Sequence, residues 1–160
     1  MLDPDRPATA PVSVETFGLR LERGVLAARR VTSALRGDPD DDAARAIGLD
    51  AGTLPGAVLH STSWRWERGE IVLTYVCCPD PLDHDACLVP PEHGHPGPSE
   101  PTLPGAGPTS VGQVLHHGID HLAWLADHHD DLVEASRDAH PELWSRITRA
   151  GRHRAGQLRH

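Results

Sequence analysis

Residues 115 to 131 read LHHGIDHLAWLADHHDD, with five histidines, four aspartates and a tryptophan in seventeen positions. Imidazole titrates near neutral pH and, when neutral, ligates transition metals, so this stretch points to proton transfer or metal binding. On a helical wheel for 110–138, Val111, Val114, Leu115, Ile119, Leu122, Leu125, Ala126, Leu132 and Val133 share one arc, the expected core face. His129 falls inside that arc and is expected to be buried, whereas His116, Asp120, Asp127 and Asp131 point away from it. His117, His121 and His128 border the arc, with Trp124 among them. Residues four apart are neighbours on a helix, so His117 and His121 could chelate one divalent ion, zinc or iron. His128 lies about 10 Å further along the axis at about 1.5 Å per residue. HGIDH repeats the histidine spacing of the zinc-protease pattern H-E-x-x-H, but Gly118 stands where the glutamate base would be. A third ligand would have to come from His84, His93 or His95, from Asp80, Asp83 or Asp85, or from a cysteine.

A second dense stretch is HSTSWRWE, residues 60–67. Strict alternation sets His60, Thr62, Trp64 and Trp66 against Ser61, Ser63, Arg65 and Glu67. The chemical possibility is a pocket wall in which Arg65 anchors an anion beside Trp64 or Tyr75, with His60 or His121 as acid or base. Cys78, His84 and Cys87 are zinc-type donors, but their spacing matches no standard knuckle. No nucleophile elbow, Walker loop or dinucleotide-binding glycine motif occurs.

These residues need elements to hold them. VSVETFGLRLE alternates as a strand, and GVLAARRVTSALRG has helical spacing that ends at Gly37. Asp40, Asp41 or Asp42 could cap a short helix, AARAIGL. AVLHSTSWRW and EIVLTYVCC flank a charged turn and form a hairpin over about 57–78. In its second strand, the Ile71, Leu73, Tyr75 and Cys77 face is the more apolar and is expected to meet the core. Residues 79–109 hold nine prolines and four glycines and read as a loop. Ser110 is a candidate N-cap for a helix to about Asp138, and Pro141 opens another over roughly 141–150. The expectation is a disordered 1–11 and a single α+β domain over 12–160. In it a small antiparallel sheet packs against helices, and residues 110–158 form a helical C-terminal part.

The hairpin VLHSTSWRWERGEIVLTYVCCPDP and the later VLHHGIDHLAWL resemble a small bacterial family that shares an HSTSWR…VLTY hairpin and an H-x-x-x-HLAxL helix. The likeness covers about half of the chain. It supports the reading of a hairpin and a later helix and implies that His60, Ser61, Trp64, Arg65, Tyr75 and His121 belong together. It carries no activity with it.

Composition narrows the classes. The chain has no Lys and no Asn, which fits a GC-rich bacterial genome. Residues 1–145 hold ten Arg against twenty-three acids, whereas 146–160 hold five Arg and no acid. An acidic body argues against nucleic acid as the main ligand. No apolar run approaches the roughly 20 residues of a membrane span. The N-terminus has no apolar signal core, and three cysteines suggest no disulfide framework, so the expected setting is a soluble protein of the cytoplasm. Three function classes follow: a binding or regulatory module that forms a homodimer through its His/Trp stripe, a small enzyme for a phosphorylated or acidic metabolite, and a metal-binding protein.

Overall fold

A computed structural model describes residues 9–49, 56–89 and 110–155. The fold is α+β, with five strands and four helices among the described residues. Strands β1 (Val12–Glu22) and β2 (Val25–Ala34) are followed by helix α1 (Pro39–Ile47), then by β3 (Val58–Glu67), β4 (Glu70–Cys78) and the short β5 (Cys87–Leu88). Helices α2 (Val111–Asp127), α3 (Asp131–Ala139) and α4 (Pro141–Ala155) complete the fold. The sheet order is β3-β4-β1-β2-β5, and β3 forms one edge. Among the described residues the pairings are antiparallel except that of β1 with β4.

The segment expected as a helix over 24–37 is instead β2, paired residue for residue with β1. Its turn explains the difference. Arg23 and Gly24 both have positive φ, at 50° and 76°, the two-residue geometry whose twist suits a hairpin. Val25, Val31 and Thr32 also prefer extended backbone. The expected β3–β4 hairpin is present and turns the same way, through Arg68 and Gly69. Helix α1 is capped by Asp38 rather than by the aspartates after it. Its side chain accepts from the amides of Asp40 and Asp41, with Pro39 in the first turn.

Both faces of the sheet are covered. The larger core joins Phe17, Leu19, Val58, Val76 and Cys78 to α2, α3 and α4. The smaller one joins Val14 and Tyr75 to Ala43 of α1. The Val76 face of β4 therefore meets the main core, and the Tyr75 face, expected there, meets α1. Ser110 caps α2 as expected, in a full capping box with Gln113. The single helix expected to Asp138 is two helices. His129 takes a left-handed φ of 54°, and Asp130 then caps α3. His129 is consequently exposed and bonds Glu134, not buried. Leu132, expected in the core, is 72% exposed. Of the proline-rich loop, 79–89 are described and contain β5; 90–109, like residues 1–8 of the expected disordered N-terminus, lie outside the described residues.

One buried ion pair ties the strands together. The Asp80 carboxylate is wholly inaccessible and accepts from Arg29 Nε at 2.9 Å and Nη2 at 2.6 Å. Arg20 Nη1 and the Leu82 amide complete its shell. Gly18 makes room for it, since a Cβ there would lie 2.6 Å from Asp80 Cγ. Removing one partner of such a pair strands the other charge. Asp80→Ala is expected to cost about 3–5 kcal/mol in urea unfolding. A cost under about 1 kcal/mol would contradict this role.

Candidate functional site: histidines where β3 meets α2

The site starts with a glycine. A Cβ on Gly118 would lie 2.6 Å from Val76 Cγ2 and 3.8 Å from Thr62 Cγ2. The missing side chain lets α2 settle directly on β4 and β3. His121, three residues on, then faces β3. His60 reaches it from the strand, since His60 pairs with Val76 and shares its face.

His60 Nε2 lies 3.3 Å from His121 Nδ1. Their ring centroids are 5.5 Å apart, and the planes are tilted by 34°. His117 meets His121 edge-on, with centroids 5.3 Å apart and planes at 63°. The result is a row of three imidazoles. His128 is not part of it; its ring stacks on Trp124 at 4.0 Å, and its Nδ1 lies 2.7 Å from the Trp124 carbonyl oxygen.

Burial lowers the pKa of His60, opposed by the negative charge of Asp130. Burial also lowers that of His121, helped by repulsion from His117 and His60. The two facing rings are thus held toward their neutral forms. In that form one nitrogen of each ring has a free lone pair, usable as a base or as a metal ligand. Among the described residues no group of three His, Cys, Asp or Glu side chains is placed to hold a metal ion. Cys78 is buried in the core, and its thiol pKa is raised by that burial. Burial likewise pushes Cys77 up to about 12.

The remaining expected site residues divide between the two faces of the sheet. A β-bulge between Ser61 and Ser63 inserts Thr62 and reverses the alternation that the sequence suggests. His60 therefore shares a face with Arg65, while Trp64 and Trp66 face the α1 side opposite Leu73 and Ile71. Tyr75 also lies on the α1 side, donating to Asp40 at 2.6 Å, and its pKa is raised to about 12 mainly by burial. Arg65 does not reach His121's partners. Its Nη2 donates to the buried Glu15 at 2.5 Å, its Nε to Glu67 at 2.7 Å and its Nη1 to Thr74 Oγ1 at 3.1 Å. Two carboxylates thus match its charge. Glu15, which also accepts from Arg30, was invisible as a site residue because a lone acid in a strand looks like a wet-face position.

The chain matches no protein-family model, no curated protein and no solved structure. No helix among the described residues is long and apolar enough to cross a membrane.

The lowered histidine pKa values make stability depend on pH. Above the ordinary value of 6.5 both rings are neutral in folded and unfolded chains alike. As pH falls below 6.5, the unfolded chain protonates first and stability is lost until the folded pKa values are passed. Glu67, held low by its bond from Arg65, acts only below this window. Melting temperature is expected to fall from about pH 6.5 downward, and to fall less in a His60→Gln/His121→Gln variant. Equal slopes in the two proteins would contradict the assignment.

Proposed function

We propose that the protein is a binding module that self-associates through the edge strand β3. The observation that carries this is the exposure of Trp64 and Trp66, at 69% and 61%, side by side on one face of that edge. Large aromatics at an edge whose outer backbone groups have no strand partner among the described residues are a ready surface for a second strand. The bulge at Thr62 confines the regular stretch to Ser63–Glu67.

A second copy suits that stretch. Antiparallel pairing about Arg65 sets Trp64 opposite Trp66 of the other chain and Ser63 opposite Glu67. The two Arg65 side chains meet with their charges already matched by Glu15 and Glu67. Four indoles then share one face, and cross-strand aromatic pairs contribute about 0.2–1 kcal/mol each. Fully buried, each indole would cover about 150–250 Å², so the four together reach about 600–1,000 Å², the low end of interface sizes. An enzyme for small anions has less support, because each of the three guanidinium nitrogens of Arg65 already donates to a protein acceptor.

Sedimentation equilibrium is expected to show a dimer with a micromolar dissociation constant. Trp64→Ser/Trp66→Ser should be monomeric, while Trp124→Ala, which removes the indole stacked on His128, should still dimerise. A wild-type chain that stays monomeric at about 200 µM, well above the micromolar range, would refute the reading.

A further inference from the structure

We infer that His60 and His121 form a binding site for a divalent transition-metal ion of the zinc type. The inference is independent of self-association, since these rings lie on the opposite face of β3 from the tryptophans. Zinc holds imidazole nitrogens at about 2.0–2.1 Å in tetrahedral geometry, which separates two ligand nitrogens by about 3.3–3.4 Å. His60 Nε2 and His121 Nδ1 are 3.3 Å apart. The spacing therefore already suits one ion held by both rings.

The two ligands come from different elements, with Gly118 fixing the distance between strand and helix. Such a pair is better ordered than two histidines on a free surface helix. Solvent fills the remaining positions. His117, edge-on to His121, is outside the pair and serves as a weak outer contact. The ion therefore differs from one chelated by His117 and His121 as helical neighbours: the strand histidine is essential and His117 is not. Asp130, whose charge acts on His60, favours a cation there.

Zinc titrated calorimetrically into untagged, chelator-treated protein is expected to bind at one ion per chain with micromolar affinity. His60→Ala and His121→Ala should each weaken binding at least tenfold, and His117→Ala less than threefold. Cobalt(II) added to the wild-type chain provides a second measurement that does not depend on a variant folding. The ring signals of His60 and His121 should be shifted or broadened first among the twelve histidines. The site is refuted if His60→Ala binds zinc as the wild type does, if His117→Ala is as damaging as His121→Ala, or if cobalt first perturbs other histidines.

Discussion

The site depends on one close approach, that of helix α2 to the sheet at Gly118. A methyl group there would overlap Val76, so any other residue would lift the helix from β4 or push Val76 aside. A second approach supports it from behind. A Cβ on Gly151 would lie 2.4 Å from the Ala123 Cβ, so α4 is pressed onto α2 where α2 rests on the sheet. Ile119, Leu122, Trp144 and Ile147 fill the space between and are almost wholly inaccessible. With α2 held from both sides, His121 has little freedom except at its own ring, and its meeting with His60 follows from packing.

The strand on the other side of that contact has two characters. One face of β3 presents His60 to the helix, and further along its Arg65 is locked into a charge network with Glu15 and Glu67. The other presents two tryptophans to solvent. The Thr62 bulge makes this division, and the Thr62 hydroxyl, buried with its chain, donates to the Thr74 carbonyl at 3.3 Å. Without the bulge, His60 and the tryptophans would share a face and compete for the space under α2. A ligand at the histidines and a partner at the tryptophans can therefore be accommodated together, with β3 common to both.

Much of this was legible in the sequence. The β-branched and aromatic runs around ERGE announced the β3–β4 hairpin, and Ser110 announced the start of α2. His60 and His121 could be suspected of meeting because strand and helix were both strongly patterned. The rest depended on features with no local signature. VLAARRVTSA has apolar residues at helical spacing, yet it follows a Arg23-Gly24 turn that feeds a strand back beside β1. Asp80 and Arg29, fifty-one positions apart, look like surface charges until the fold buries them against each other. The helical break at His129 is a left-handed residue between two capping groups, and periodicity carried straight through it. The bulge is one extra residue, and alternation cannot register it.

The central claim is that α2, seated through Gly118, makes His60 and His121 one electrostatic unit. Following both rings by two-dimensional nitrogen NMR across a pH titration, in the presence of chelator, tests this most directly. His121 should titrate below the ordinary 6.5 and move upward when His60 is replaced by glutamine, because part of its depression comes from the His60 charge. A His121 that titrates at 6.5 and is indifferent to residue 60 would mean that the two rings do not sense each other, and the site would fall with that result.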